Sequence, residues 1–299
     1  LFEKFLDAKR AVYSVRKFVQ NSKRFPFSSE GRINLYPLFV ELAPSLVNSK
    51  GHSGIIVPSA ISMDAYNASL FGWLIENQLV QSLFDFENKY GLFPAVDSRY
   101  RFCLLTLSKE IKPNREIEFC YLCRNVDEIK DTQRRFIFRT KDIETFSPNT
   151  FAPPILMNSF DAKLAQRIYS RFGVLNNKKK SINPWKISIQ RMLSLSDPGD
   201  LFRSFSELKE IPDISSWVRI YSGKTIHQFN HRYAQYNGID WRELTSQELE
   251  NPSLKVATEY YVQSEEVKKR TEGKTPQNWL MSYRDVASGT NERTAIAAI

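Results

Sequence analysis

Segments with helical spacing alternate with strand-like segments between residues 31 and 108, and this alternation limits the fold more than any other sequence feature. The run 54–58 (GIIVP) is apolar and bounded by glycine and proline, which is typical of a buried parallel strand. The predicted order is a helix over 35–46 that bends or ends near Pro44, a strand over 54–58, a helix that begins near Asp64, and strands over 80–86 and 100–107. The last two strands are predicted to pair antiparallel because only a short loop joins them. Together these segments predict an α/β sheet.

The rest of the chain is organised around that sheet. Apolar residues at helical spacing predict a helix over the first twenty residues, and 116–124 (EIEFCYLCR) is predicted to extend the sheet. Prolines at 148, 153 and 154 mark a predicted domain boundary that divides the chain into 1–145 and 146–299. Beyond the boundary the sequence predicts helices over 161–172, 259–272 and 291–299 and strands over 185–189 and 218–221.

The chain carries 42 lysine and arginine residues against 33 acidic ones, and the excess is concentrated in two segments. Residues 1–49 hold 8 basic and 4 acidic side chains, and residues 161–235 hold 13 and 6. Such segments fit either a polyanion partner or a solvated basic surface, and charge alone leaves both interpretations open.

The sequence has no signal segment and no apolar run long enough to cross a bilayer, so no membrane partner is predicted. Its three cysteines are an odd number without a disulfide framework, which favours a reducing cytoplasm. The chain opens at Leu1 directly in a helical pattern and ends in another. We therefore expect it to be cut from a longer protein.

Cys120 and Cys123 form a C-x-x-C pair inside the predicted strand over 116–124. Residues three apart on a strand point to opposite faces, and no second pair follows at zinc-ribbon spacing. The prediction is therefore two core cysteines rather than a metal site.

His227 and His231 have the spacing of a metal-binding helix face, but the segment around them has weak helical character and no glutamate lies between them. Hydrogen bonding, within the protein or to a nucleic acid, is favoured over a metal.

Asp85 and Glu87 lie at the end of the predicted strand over 80–86, at a sheet edge where binding sites often occur. Strand alternation places both carboxylates on one face and Phe84 and Phe86 on the other. The default interpretation is a solvated strand end.

Three ordered segments resemble landmarks of the adenine-N6 DNA methyltransferases, most closely the long enzymes of type IIG restriction–modification and related phage-defence systems. They are 34–41 (NLYPLFVE), 54–59 (GIIVPS) and 91–107 (GLFPAVDSRYRFCLLTL). In that family they correspond to the helix after the catalytic loop, the fifth strand, and the loop with the seventh strand. Each motif alone is weak, but their order and spacing together make chance agreement improbable. A looser resemblance continues through 147–150 (SPNT), 226–236 (IHQFNHRYAQY) and 290–299 (TNERTAIAAI).

The resemblance implies an α/β fold: the second half of a Rossmann-like sheet that uses S-adenosylmethionine, followed by a mixed α+β region. It also implies action on an adenine flipped out of double-stranded DNA, with an attached or separate nuclease component. Phe93 matches the position where the family stacks the flipped base, and Phe39 matches the aromatic residue beside the cofactor's adenine. For both residues the alternative is a role in the hydrophobic core.

The family's Asn-Pro-Pro-Tyr/Phe catalytic loop is absent from the sequence, and so is the Gly-containing loop that holds the methionine part of the cofactor. Both normally precede the matched region. The resemblance therefore implies the C-terminal portion of a methyltransferase domain over 1–145, and a spacer with the start of a DNA-recognition region over 146–299. No catalytic residue is assigned, and we expect this chain alone to methylate nothing.

The basic segment 161–235 lies where the family begins its spacer and target-recognition region, so its cations are candidates for phosphate contact. The candidates are Lys178, Lys179, Lys180, Arg203, Lys224 and Arg232. For each of them a solvated basic surface is the alternative.

Two other functions stay open at the level of the sequence. The same sheet can serve a methyltransferase that acts on RNA or protein. A chain without a catalytic half can also be a non-catalytic nucleic-acid-binding module. An Asn-Pro-Pro-Tyr/Phe motif encoded in frame upstream of Leu1 would favour the DNA methyltransferase, and a natural start codon there would favour the module.

Overall fold

The computed structural model describes residues 1–29, 33–110, 112–194, 199–275, 277, 279–287, 291–292 and 294–299. The chain divides into two compact units, Leu1–Ile187 and Ser188–Ile299. This division rests on contacts within the fold. The boundary predicted at residue 146 separates two functional regions, and it stays a prediction.

The first unit combines helices with one mixed sheet, so the predicted α/β class is confirmed. Its helices are α1 (Phe2–Asn21), α2 (Leu35–Leu46), α3 (Ala60–Met63), α4 (Ala68–Glu76), α5 (Thr140–Phe146) and α6 (Ser159–Phe172). Its strands are β1 (His52–Pro58), β2 (Val80–Glu87), β3 (Arg101–Ser108), β4 (Glu116–Cys123) and β5 (Phe136–Arg139).

The sheet has the order β1-β3-β2-β4-β5 within the described residues. The antiparallel pairing predicted for β2 and β3 is confirmed, and β3 also pairs antiparallel with β1. The predicted extension by 116–124 is confirmed as well, because β4 pairs with β2 in parallel. Consequently β1, β2 and β4 run in one direction, and the loops that follow them leave the sheet at the same edge.

The helices α2 to α6 cover one face of this sheet. Leu83 of β2 and Leu105 of β3 pack in the main core with Phe71 and Leu74 of α4, and all four are almost fully buried. A helix that is apolar on nearly every side, such as α4, is stable only when it is buried in this way. The other face carries a smaller cluster, in which buried Phe86 packs with the half-buried rings of Phe84 and Phe102.

A bulge in β4 contradicts the arrangement predicted for the C-x-x-C pair. The register of β4 with β2 shifts between Phe84 and Phe86, and Leu122 has a left-handed backbone with φ 57°. This extra step breaks strand alternation. It brings the buried thiols of Cys120 and Cys123 to the same face, with 3.2 Å between their sulfurs. The prediction that both are core residues is correct, but the prediction of opposite faces is wrong.

The predicted first helix is confirmed as α1, but within it only Val19 is buried. Asp64 was predicted to cap the helix that follows it, but it caps a short 3-10 turn that precedes α4. Its side chain accepts a hydrogen bond from the Tyr66 amide in a short 3-10 turn, and α4 begins only at Ala68.

The second unit is built from short elements. They are β6 (Phe202–Ser204), α7 (Phe205–Leu208), β7 (Trp217–Arg219), β8 (Ala234–Tyr236), β9 (Trp241–Glu243), α8 (Ser246–Leu249), β10 (Tyr260–Gln263), α9 (Ser264–Thr271), β11 (Ser282–Tyr283) and β12 (Ala297–Ala298). Central β10 pairs antiparallel with β6 and β7, whereas β8 pairs with β9 and β11 with β12. The predicted helix over 259–272 is thus a strand followed by a shorter helix.

Two predicted elements are wrong. The helix over 291–299 is replaced by β12, whose pairing with β11 overrides the weak helical pattern; Thr290 and Arg293 of that segment lie outside the described residues. Residues 185–189 do not form a strand, because Lys186 adopts a left-handed backbone with φ 51°. In the described part of the chain, no helix is both long and apolar enough to span a membrane.

Candidate functional site

Phe93 lies on the loop that follows β2, at the edge where the parallel strands end. Its side chain is 40% exposed, so the alternative of a buried core role does not describe it. The Phe93 ring meets Phe102 edge-on with ring centres 4.8 Å apart, and Phe102 stacks on Phe86 at 5.2 Å. One part of the Phe93 ring is therefore packed, and the rest faces outward.

The amide side chain of Asn88 holds the Phe93 loop from within. Asn88 is 1% exposed. Its Nδ2 donates to the carbonyl oxygens of Phe93 at 3.0 Å and Val96 at 2.8 Å, and its Oδ1 accepts from the Phe93 amide at 2.9 Å. Gly91, with φ 70°, supplies the left-handed residue at which the chain turns into this loop.

A second buried group lies at the same sheet edge, where a solvated strand end was predicted. Asp85 is 0% exposed. Its Oδ1 accepts from Ser59 Oγ, and its Oδ2 accepts from Arg101 Nη2 and from the Leu122 amide at 3.0 Å. The prediction is wrong for Asp85, because the arginine and these donors replace the water that a carboxylate otherwise needs. Glu87 is half-buried and pairs with Arg124.

Because Asp85 is engaged on both oxygens, it acts as a structural anchor that joins the ends of β1, β2, β3 and β4. Burial first, and then the charge of Asp85, raise the pKa of the Tyr121 phenol and of the Cys103 thiol. Both groups are therefore protonated near neutral pH.

Phe39 lies on the side of α2 that faces away from the core. Val40 and Ala43 of α2 pack in the main core, whereas Phe39 is 62% exposed. The alternative of a core role therefore does not describe Phe39 either. Its exposed ring leaves an aromatic face available to a ligand.

The predicted lysine cluster is exposed, and two of its three side chains already have partners. Lys179 pairs with Glu76 at 3.1 Å and lies 4.1 Å from the ring centre of Phe151, and Lys180 pairs with Glu144 at 3.4 Å. Lys178 is placed by its backbone amide, which donates to the Asn149 side chain. Its ammonium group makes no ion pair with any described residue, so it is the most available of the three.

In the second unit the predicted cations differ in how many contacts they make within the protein. Arg232 donates to the carbonyl oxygens of Asn251 at 2.6 Å and Leu249 at 3.0 Å, just beyond and at the end of α8. The guanidinium of Arg203 donates to the Phe202 carbonyl and lies 5.7 Å from the Trp217 ring. Lys224 is exposed, with its ammonium 5.8 Å from the Trp241 ring.

The two histidines lie in a turn rather than on a helix. The His227 amide and carbonyl both bond to Asn230, and the His227 ring packs against Tyr233 with centres 4.7 Å apart. The His231 ring meets Tyr221 edge-on at 6.3 Å. Among the described residues, no group of three or more potential ligands forms a metal site.

Sequence reasoning missed the buried residues Asn88 and Ser59 and the half-buried Arg101. Arg101 starts an otherwise apolar strand, and Asn88 precedes a Gly91 turn, so each has a local signal. These local signals do not reveal that the side chains contact each other. Asp85 meets Ser59 and Arg101 only because β1 and β2 lie on either side of β3.

Comparison with known proteins gives a family match over a segment that includes Phe39, Asp85, Asn88 and Phe93. Residues 10–93 match the family "Eco57I restriction-modification methylase". No curated protein sequence matches the chain. The solved structure described as the type IIG restriction endonuclease BpuSI is similar with 13% sequence identity and a TM-score of 0.37, over 80% of this chain and 30% of that protein. The family match confirms the resemblance to the restriction–modification methylases over residues 10–93.

Proposed function

We propose that this chain is part of a DNA methyltransferase that transfers a methyl group from S-adenosylmethionine to adenine N6, in a restriction–modification or phage-defence system. The family match over residues 10–93 supports a methylase role. We assign residues 1–145 to the second half of the methyltransferase domain, and residues 146–299 to a spacer and the start of the DNA-recognition region. The proposed location is the cytoplasm, where the DNA of such a system lies.

The exposure of Phe93 carries this proposal. A base inside a duplex is inaccessible to an enzyme, so a base-modifying enzyme extrudes it and holds it against apolar or aromatic walls. Phe93 offers such a wall at the sheet edge where β2 ends, and it falls in the segment that the family model matches. Stacking of a base on an aromatic side chain contributes about 1–3 kcal/mol.

The sheet supports a Rossmann-like assignment. The strands β1 and β2 run parallel with α3 and α4 between them, which is the connection expected of an α/β unit. Ligands of open α/β sheets bind outside the carboxyl ends of the parallel strands. Phe93 follows β2 at that edge.

The residues present fit one end of the proposed cofactor. Phe39 offers an exposed aromatic face for the adenine ring of S-adenosylmethionine, which supplies the methyl group when bound. No residue of this chain is assigned to the methionine end, because the sequence has no Gly-containing loop of the family type. In this proposal Phe39 orients the cofactor and Phe93 holds the extruded adenine, and no residue of this chain is assigned to taking the proton from N6.

The proposed partner is double-stranded DNA. Exposed cations in residues 161–235 would contact its phosphates, with Lys178 and Lys224 the most available of those predicted. A nuclease component, attached or separate, completes the proposal because restriction–modification systems pair a methylase with a nuclease.

The experiment that tests this function replaces Phe93 with alanine in the product of the complete reading frame. We expect Phe93→Ala to weaken capture of the target adenine about 5- to 150-fold, the range that loss of 1–3 kcal/mol of stacking gives, while cofactor affinity stays unchanged. Methyl-transfer kinetics and cofactor titration measure the two effects separately.

A control is Phe160→Ala on α6, which removes a more exposed phenylalanine ring, at 72% against 40% for Phe93, from the same unit. Equal losses of adenine capture and cofactor affinity in Phe93→Ala would assign Phe93 to folding instead.

A non-catalytic nucleic-acid-binding module is the second candidate. Such a module needs no Asn-Pro-Pro-Tyr/Phe loop, and its DNA contacts would come from the same exposed cations. DNA binding without methyl transfer by the product of the complete reading frame would support the module and contradict the methyltransferase.

A further inference from the structure

The buried side chain of Asn88 bonds the backbone of the loop that carries Phe93, and within the loop the Val96 amide also donates to the Phe93 carbonyl at 3.0 Å. Asn88 uses both N–H donors of its amide and one lone pair of its oxygen, and two of the three bonds go to the backbone of Phe93. The side chain thus fixes Phe93 on both its amide and its carbonyl, while the Val96 bond closes the loop behind it.

The bonding pattern requires an amide at this position. Two carbonyl oxygens face Nδ2 and one amide hydrogen faces Oδ1, so the residue must donate twice and accept once. An aspartate has the same shape, but its carboxylate would face two carbonyl oxygens without a donor. Alanine removes all three bonds.

The ring of Phe93 is held independently of its backbone. Phe102 contacts it edge-on, a favourable geometry for two aromatic rings, and Phe86 supports Phe102 from behind. Nevertheless Phe93 stays 40% exposed. An aromatic face is therefore presented by a loop that is ordered before any ligand arrives.

We propose that Asn88 is a positioning residue that pre-organises Phe93 for the extruded base. This inference rests on the proposed function, because it assumes that Phe93 stacks on a base. Asn88 does not touch that base, since its side chain is buried and its donors are occupied. Asn88 orders the loop backbone before the base binds, so base binding does not have to lose that conformational entropy. Ordering one residue on binding weakens affinity by about tenfold.

The test measures how much a single unpaired base adds to DNA affinity. One probe is a duplex with 2-aminopurine opposite an abasic site, where extrusion costs little, and a second duplex has abasic sites on both strands. The ratio of the two affinities isolates the base contact from phosphate contacts. All affinities are measured on the product of the complete reading frame. We expect the native protein to bind the first probe more tightly than the second, and for Phe93→Ala we expect the ratio to fall to about one.

The decisive variant is Asn88→Asp. At about pH 8 we expect its affinity ratio to fall about tenfold, because the carboxylate cannot donate to the Phe93 and Val96 carbonyls. At about pH 5.5 we expect partial recovery, since burial raises the pKa of the new carboxyl and its protonated form donates once. Asn88→Ala should lose the base contribution at both pH values.

Dividing each variant's ratio by the native ratio at the same pH removes general effects of pH on DNA binding. Of the charged groups in and beside the loop, Glu87 pairs with Arg124 and Asp97 with Arg99, while Lys89 follows Asn88 as an exposed residue. They are the same in the native chain and the variants.

The outcomes separate the two proposals. If the native chain shows no base contribution, the proposed role of Phe93 fails. If Phe93→Ala abolishes the contribution but Asn88→Asp retains it at pH 8, the role of Asn88 is overturned. Should the Asn88 variants unfold, amide hydrogen exchange of the native chain decides. Strong protection of the Phe93 amide is expected, and exchange at the rate of an unstructured loop would contradict the inference.

Discussion

Two buried thiols lie 3.2 Å apart on the less covered face of the sheet. The hydrogen bond from Cys123 lowers the pKa of the Cys120 thiol, whereas the same bond and burial raise the pKa of Cys123. A thiolate is the reactive form of cysteine, so Cys120 is the expected nucleophile. A movement of about 1 Å brings the two sulfurs to disulfide bonding distance.

We therefore expect the reagent diamide to oxidise Cys120 and Cys123 to an intramolecular disulfide. The azo group accepts two electrons and two protons while the S–S bond forms. Intact mass and alkylation of free thiols in denaturant measure the product.

Cys103→Ser is the control, because the raised pKa of this third thiol keeps it protonated, whereas the pKa of Cys120 is lowered. The control variant should oxidise like the native chain, and Cys123→Ser should form no disulfide within one chain. Reaction of Cys103 alone would contradict the assignment.

At the residue scale, the sequence predicts which types of side chain matter better than it predicts where they point. Strand alternation does not hold along β4, because the backbone of Leu122 is left-handed. A leucine in the sequence gives no sign of such a backbone. The sequence likewise does not show that Asp85 is buried. Its partner Arg101 lies 16 residues away, and the two side chains meet only because of the strand order. By contrast, the motif match selected Phe93 and Phe39, and both prove to be exposed.

Among the elements, the short helix α8 depends on one carboxylate at its first turn. Glu248 accepts from the Thr245 amide at 2.9 Å and from the two terminal nitrogens of Arg242 at 2.9 and 2.7 Å. The Arg242 bonds first, and then the Thr245 amide, lower the pKa of Glu248 from 4.5 to about 2. The carboxylate thus completes a capping box.

This lowered pKa predicts how acid affects stability. Because the folded pKa of Glu248 lies below its ordinary value, its contribution is complete above pH 4.5 and is lost as pH falls toward about 2. We expect Glu248→Gln to have a lower free energy of unfolding than the native chain at pH 7. The difference should shrink toward zero near pH 2. Denaturant unfolding at a series of pH values measures it.

Glu250→Gln is the matched control, since its carboxylate makes no hydrogen bond or ion pair with any described residue. Its effect should be small and should not depend on pH in this way. A Glu248→Gln difference that stays constant from pH 7 to about pH 2 would contradict the prediction.

The elements that the sequence predicts are those with strong periodicity or short-range pairing. The strands β2 and β3 are joined by a short loop, so their pairing follows from the sequence. The helix α8 was missed although Thr245 and Glu248 have the spacing of a capping box, because four residues are too few to show helical periodicity.

For the whole molecule, the limit of sequence reasoning lies in the second unit. Its central strand β10 pairs with β6, more than fifty residues earlier, and with β7. These strands are only three or four residues long, so local pattern cannot identify their partners. In the first unit the strands are longer and their order could be inferred in part.

The concentration of positive charge in residues 161–235 gives a prediction that depends on the molecule as a whole. If these cations bind DNA backbone, the logarithm of affinity should fall linearly with the logarithm of salt concentration, by about 0.9 per phosphate neutralised. We expect the native chain to show such a slope with duplexes of mixed sequence. Lys178→Ala and Lys224→Ala should each reduce its magnitude by about one, because their ammonium groups are the least engaged of those predicted.

Arg232→Ala is the informative comparison. Its guanidinium donates to the carbonyls of Leu249 and Asn251, so its loss should lower the free energy of unfolding by about 1 kcal/mol and leave the salt slope unchanged. Fluorescence anisotropy across a range of salt concentrations measures the slopes. A native affinity that does not vary with salt would show that the basic segment is a solvated surface. If Arg232→Ala instead reduces the salt slope and leaves the free energy of unfolding unchanged, Arg232 contacts a phosphate and the prediction is wrong.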